Sequence, residues 1–356
     1  MGDTGYPPVP PYFRLRMRVL LPALLALALL APAGASGAGY PWPFKPFDKQ
    51  HPIRGYFGDP RTIYENGILS DPFDGGGFFS FHQGVDIAAP DGTAIYAIAN
   101  GTAHYLGAST LNLDTGTGVV FQFFHIVSVV GEGQHVTKSK TVLGYVQPPY
   151  GHVHISEIDG SRIVNPLQKG HLTPYRDTTK PTIRDVLIKN QTGILQAPLG
   201  LCGSLELDAD VFDTPPIAVP GPFHGMPVAP AYVAWRLTRI TGQVVVPWTV
   251  VADFRQTLPS NAKFWDVYAR GTYENAPRFG REQYALMPGR FLFLLGRFDT
   301  TTFANGVYVL SVRAVDIRGN AALATRRLSV LNGKGSCPGS LPAPPIAPPP
   351  AEPPGP

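Results

Sequence analysis

Cysteine is nearly missing from this 356-residue sequence. Cys202 and Cys337 are the only two, so a thiolate zinc knuckle is excluded and a tightly held metal must draw on histidine and carboxylate. In an exported chain two cysteines suggest one disulfide, which here would close the second half of the sequence end to end; two unpaired thiols are the alternative. Charge is scarce as well. Charged residues make up 15% of the chain and the net charge is +4, with no Lys/Arg run long enough to track a phosphate backbone, which argues against nucleic acid as a partner. Hydrophobic residues make up 44% of the chain and the mean hydropathy is near zero, which argues against a multi-span membrane protein. Helical periodicity is absent from about His51 to Leu172, where apolar residues come in short alternating runs broken by glycine, the pattern of strands and turns.

What is present begins with an address. Arg14, Arg16 and Arg18 precede an apolar run from Val19 to Ala31, followed by the small-residue stretch Pro32 to Ala38. Cationic start, short apolar middle and small-residue exit are the three parts of a secretory signal peptide, with cleavage after Ala35 or Ala38; an uncleaved anchor is the alternative. Either way the remainder is expected outside the cytoplasm, in periplasm, cell wall or medium, with no stable membrane span after processing. No cysteine stands directly after the run, which argues against a lipoprotein.

Four pieces follow from composition: an N-terminal extension and signal peptide over 1–38, a first β domain over 39–176, a second over 177–333, and a proline-rich tail over 334–356 that is expected to be extended. The first opens on the aromatic lead Tyr40-Pro41-Trp42-Pro43-Phe44 and includes the runs Thr93–Ala99, Gly118–Ile126, Val142–Val146 and His152–Ile158, each read as a strand. The second ends on Gly306–Asp316, where Tyr308, Leu310, Val312 and Ala314 alternate with Val307, Val309, Ser311 and Arg313, and on a strand from Thr325 to Leu331. That closing hairpin is similar to the last strands of an immunoglobulin-like or fibronectin-like sandwich. The fold class expected is therefore all-β, antiparallel, in two β domains.

The chemistry lies in the first domain. His82-Gln83-Gly84-Val85-Asp86 stands about forty residues before His125, and His152-Val153-His154 follows. On a strand, His152 and His154 share one face while Val153 and Ile155 point to the core. Two imidazoles plus one carboxylate meet the demand of a catalytic zinc, three protein ligands and an open position. One histidine of the pair suffices as ligand, leaving the other, with His125, to handle protons or the developing oxyanion. Glu157 falls on the opposite strand face and reads as structural, and His51, His104, His135, His171 and His224 lack a partner at ligand spacing. Imidazoles at their ordinary pKa near 6.5 would make activity fall below about pH 6.

The run Phe81 to Thr93, continued through Ala97–Thr102, Phe124-His125-Ile126, Gly133–Val136, Val142–Val146 and Gly151–Ile158, resembles the M23 metallopeptidase family of lysostaphin and LytM type. Phe57-Gly58-Asp59-Pro60-Arg61 is similar to the opening strand of that domain and Val164-Asn165-Pro166 to its exit. The resemblance implies an antiparallel β peptidase domain over 39–176, one zinc per chain on His82, Asp86 and His154, catalytic His125 and His152, and peptidoglycan peptide stems and cross-links as substrate. Relatives that have become non-cleaving regulators or wall-binding modules are the alternative. Departures from the family pattern are Ser139, where glycine is usual, and Phe123-Phe124 before His125 in place of Tyr-Ala. The glycine-rich stretch Asp71–Gly77 is expected either to line the groove or to be a surface connection. A chain from Gly39 to Tyr175 is expected to fold by itself.

Overall fold

The computed structural model describes residues 39–64, 77–107, 109–275 and 288–333. The signal segment, positions 71–76 of the glycine-rich stretch, Cys337 and the proline-rich tail lie outside the described residues. Cys202 is disulfide-bonded.

Every sheet is antiparallel. In the first half the strands are β1 (Ile53–Gly55), β2 (Pro60–Tyr64), β3 (Gly77–Phe81), β4 (Val85–Ala88), β5 (Ala94–Tyr96), β6 (Gly101–Gly107) and β7 (Thr110–Asp114). They continue with β8 (Val119–Phe124), β9 (Ile126–Ser128), β10 (His135–Val136), β11 (Val142–Val146), β12 (His152–Asp159) and β13 (Arg162–Val164). The large sheet runs β1-β4-β12-β8-β7-β6-β10, with β13 against β12; a small sheet runs β5-β11-β9, and β2 pairs with β3. Ile87, Val153, Ile155, Leu111, Phe121 and Phe123 from the large sheet meet Ile95, Ile126, Leu143 and Val146 from the small one in a single apolar cluster. The aromatic lead belongs to this core: Tyr40, Trp42 and Phe44 are buried in it, and the Trp42 indole N–H donates to the Pro174 carbonyl at 2.8 Å. Alternation along β12 thus forces its histidines away from the core, since Val153 and Ile155 occupy it.

Gly118–Ile126, read from sequence as one strand, is two. β8 stops at Phe124, His125 takes φ +59°, and β9 joins the small sheet. The left-handed turn transfers the chain from one sheet to the other and lifts His125 out of the pleat. Ser139 takes the same backbone region, φ +59°, where glycine would carry no steric cost.

The second half has β14 (Thr182–Asn190), β15 (Ser204–Phe212), β16 (Tyr232–Arg239), β17 (Val244–Asp253), β18 (Leu292–Asp299), β19 (Gly306–Val315) and β20 (Ala321–Val330). They form a three-stranded sheet β14-β15-β18 and a four-stranded sheet β17-β16-β19-β20. Leu207, Ala209, Val211 and Phe293 of the first sheet and Val233, Trp235, Leu310 and Val312 of the second share one cluster.

That second cluster also takes Phe57 and Phe81 from the first half. Phe81 lies 5.4–5.9 Å, ring to ring, from Phe254, Phe264 and Tyr268. Phe254 packs directly on Gly58, where any side chain would collide with its ring. Across the same seam Asp59 accepts from the Ala229 N–H and the Asn165 amide donates to the Phe254 carbonyl at 2.8 Å. Residues from Gly39 onward accordingly cluster as one unit. A chain ended at Tyr175 would expose two phenylalanines worth roughly 1.5–3 kcal/mol each. Its melting temperature is expected to lie well below that of the full chain, by thermal scanning of both; equal melting would mean that the seam contributes nothing.

Candidate functional site

His82 follows β3 and Asp86 lies on β4, one turn of chain further on. The register of the large sheet then sets Asp86 directly opposite His154 on β12, so neighbouring positions on paired strands bring the carboxylate to the imidazole. Gly84 makes the approach possible: a Cβ there would strike the Ile155 carbonyl and the His154 ring. Three donor atoms converge. His82 Nε2 is 2.8 Å from His154 Nδ1 and 3.0 Å from Asp86 Oδ1, and His154 Nδ1 is 2.9 Å from Asp86 Oδ1. His82, Asp86 and His154 form a group able to hold a metal ion.

The chemistry of these donors fits a cation. His82 Nδ1 lies 2.8 Å from the Tyr56 carbonyl, which can only accept, so the single proton of a neutral ring sits on Nδ1 and leaves Nε2 bare. Burial, then the charge of Arg61, lowers the His82 pKa to about 4, so the ring is neutral near pH 7. Asp86 is driven upward by burial, but the rings of His82, His152 and His154 close around its carboxylate outweigh this and hold it well below the usual carboxylate range. A bare ring nitrogen therefore faces an anionic oxygen at 3.0 Å with no proton between them. On the far side of His154, Nε2 meets the Ser156 hydroxyl at 2.9 Å. The Ser156 hydroxyl can accept a proton carried on Nε2, the arrangement in which Nδ1 is turned as a donor atom to the same spot and the second nitrogen is held from outside.

Two more histidines flank the group. His152 is buried, with Nδ1 2.8 Å from the Tyr150 carbonyl and Nε2 3.7 Å from Asp86 Oδ1. His125 is half-buried; its ring stacks on Tyr150 at 3.9 Å between centroids and lies 4.6 Å from the His152 ring. Phe124 meets the His154 ring edge-on at 5.1 Å. The five sequence candidates thus gather at one place. Glu157, by contrast, points away, accepting from the Tyr40 hydroxyl at 2.7 Å with His171 Nδ1 2.9 Å off. His104 pairs with Glu132 and His135 with Thr102, both at exposed positions.

Sequence reading missed the outer support. Arg61 donates through Nη2 to Asp86 Oδ2 at 2.8 Å, occupying the oxygen turned away from the histidines, and its Nε lies 3.9 Å from Glu274. Ser156 was legible in principle, two residues past His154 and so on its strand face. Tyr56 acts through its backbone and Glu274 comes from 188 positions beyond Asp86, so neither leaves a local signal.

Burial also changes the expected pH response. It lowers His125 to about 4 and His152 to about 3, in each case as the largest cause. Both rings therefore stay neutral at pH 5–6, and their protonation is expected nearer pH 4 than pH 6. The same shifts act on stability. Folded pKa values below the ordinary 6.5 mean that the unfolded chain binds more protons in the window between, so stability is complete above about 6.5 and declines as pH falls toward 4 and then 3. Melting of the metal-free protein, followed by circular dichroism from pH 8 to 3.5, should show that decline; a flat profile would refute it.

Residues 80–166 match the model of Peptidase family M23. No curated protein matches the chain. Among solved structures, a candidate peptidase M23 from Pseudomonas aeruginosa is 30% identical over 29% of this chain and 50% of its own, with a TM-score of 0.21. A variant of the catalytic domain of the prophage-encoded M23 protein EnpA from Enterococcus faecalis is 22% identical over 32% and 92%, at 0.23. LytU is 24% identical over 33% and 79%, at 0.24. The chain thus spans half the length of the first and most of the other two.

Proposed function

We propose that this chain, whose residues 80–166 match the peptidase family M23, is an exported zinc endopeptidase that hydrolyses the peptide cross-links of bacterial peptidoglycan. The observation that carries the reading is the convergence of two imidazole nitrogens and one carboxylate oxygen within 2.8–3.0 Å, beside two further imidazoles. His82 Nε2, Asp86 Oδ1 and His154 Nδ1 are the atoms that would hold the ion, and nitrogen and oxygen donors in this number suit zinc with a position left open. Zinc, when bound, supplies Lewis acidity, polarising a carbonyl and lowering the pKa of water toward ~7. The chain does the rest. His152, its Nδ1 proton committed to the Tyr150 carbonyl, offers a bare Nε2 toward the centre, placed to accept a proton from the attacking water and return it to the leaving amine. His125, exposed on one side and stacked on Tyr150, is placed to donate to the oxyanion. Arg61 and Ser156 hold Asp86 and His154 in orientation.

Export rests on the signal-like segment over 1–38, and no helix of the described residues is long and apolar enough to cross a membrane. Residues 177–333 are read as a second β domain, with its two sheets as a sandwich. Incubation of zinc-loaded protein with purified peptidoglycan, followed by mass analysis of released muropeptides, tests the reading. New peptide termini are expected. Intact cross-links with full zinc occupancy would overturn it in favour of a non-cleaving module.

A further inference from the structure

Away from this centre, Asp177, Asp213 and Asp316 bring three carboxylates together from distant parts of the sequence, each offering an oxygen within 4.8 Å of the others. Asp177 lies two residues past Tyr175, Asp213 immediately after β15, and Asp316 immediately after β19. All three are buried, Asp213 to 1% exposure.

The surroundings satisfy most of these oxygens, but not all. Asp316 accepts from the N–H groups of Arg318 and Asn320 through Oδ1 and from the Asn320 amide through Oδ2. Asp177 accepts from Thr179 through Oδ1, and its Oδ2 is 3.3 Å from the Tyr175 hydroxyl. Asp213 accepts one bond, from the Thr214 N–H to Oδ1; its Oδ2 is buried with no partner. An anionic oxygen stranded beside two more carboxylates is costly, because burial strips its water and its neighbours repel it. Arg318, the cation of this region, donates instead to the main-chain carbonyls of Tyr175 and Leu167. Burial, with Asp177 and Asp316 adding to it, pushes Asp213 up to about 8.

We propose that Asp177, Asp213 and Asp316 form a second metal site that binds a hard divalent cation, calcium, and clamps the segment leaving the first sheet system onto the second. All-oxygen donors select calcium or magnesium over zinc, and oxygens within 4.8 Å of one another fit around an ion held at about 2.3–2.6 Å by flexible ligands. The ion would join the segment just after Tyr175, whose hydroxyl is 2.8 Å from that of Tyr56, to the ends of β15 and β19. It therefore ties both halves of the protein at a point separate from the His82, Asp86 and His154 group.

The test uses the full chain, dialysed against metal-free buffer and given one equivalent of zinc, with Tb³⁺ as a luminescent stand-in for calcium. Tyr175 touches Asp177, so excitation of tyrosine should produce sensitised terbium emission, which calcium removes at lower concentration than magnesium. Asp213→Asn, close in shape but neutral, should lose this emission. Calcium at about 1 mM, a concentration suited to extracellular sites, should raise the melting temperature of the unaltered chain by several degrees and leave Asp213→Asn unmoved. Equilibrium dialysis of the unaltered protein alone gives a second reading, about one calcium per chain. No sensitised emission, emission undiminished by Asp213→Asn, or no calcium retained at that concentration would each overturn the site and leave a cluster that shares a proton.

Discussion

Alanine in place of His82, Asp86 or His154 is expected to remove zinc from the protein and abolish wall hydrolysis. Each residue supplies one of three converging donors, and two remaining donors do not make the three-ligand set of a catalytic zinc. The variants should differ in their side effects. His82→Ala removes a buried ring and its bond to the Tyr56 carbonyl, so some stability should go with the metal. Asp86→Ala also leaves Arg61 without its 2.8 Å partner, next to a Glu274 that burial pushes up to about 8. It should therefore be the least stable of the three even without metal. His154→Ala removes a ring that is partly exposed and should fold closest to normal. Zinc content by elemental analysis and digestion of purified peptidoglycan read the two effects separately. Any of the three variants retaining full zinc would remove that residue from the ligand set.

The opposite separation is expected at His125 and His152. Their rings flank the donors without joining them, His152 Nε2 standing 3.7 Å from Asp86 Oδ1. Replacement should leave about one zinc per chain while hydrolysis falls roughly 100-fold to 10,000-fold, the range of positioned acid, base or oxyanion groups. Stability needs care in choosing the replacement. His125 occupies φ +59°, which asparagine tolerates better than most residues, so His125→Asn tests the lost imidazole with little added backbone strain. His152 is buried, and His152→Gln fills more of its space than alanine would. Zinc lost from either variant, or hydrolysis at the unaltered rate, would reject the assignment of that histidine.

Much of this site is legible along the chain because strands have a strict period. His152 and His154 had to share a face once Val153 and Ile155 were assigned to the core, and their burial follows that pattern. The aromatic lead was legible only as composition; that Trp42 lies inside the first core depends on its reach to Pro174, 132 positions away. The middle of the second half, around Pro215 to Pro230, offered no period to read. There the structure has a bridge between Asp213 and Val228, and then β16 and β17, whose pairing depends on partners distant in sequence.

The sequence by itself determined the donor types, by its lack of cysteine, and the side of β12 on which two histidines stand, by the alternation of apolar residues. It determined the all-β class for the same reason, since alternation is a local property of successive residues. Only the tertiary structure decided what neutralises, orients and supports those donors. Tyr56 offers a backbone carbonyl that carries no mark in the side-chain pattern, Arg61 and Glu274 meet from opposite halves of the chain, and His125 leaves its strand through a left-handed turn. The packing of Phe57 and Phe81 into the second core and the meeting of Asp177, Asp213 and Asp316 belong to the same category. Such contacts arise from where sheets come to rest against each other, and short-range periodicity carries no information about that.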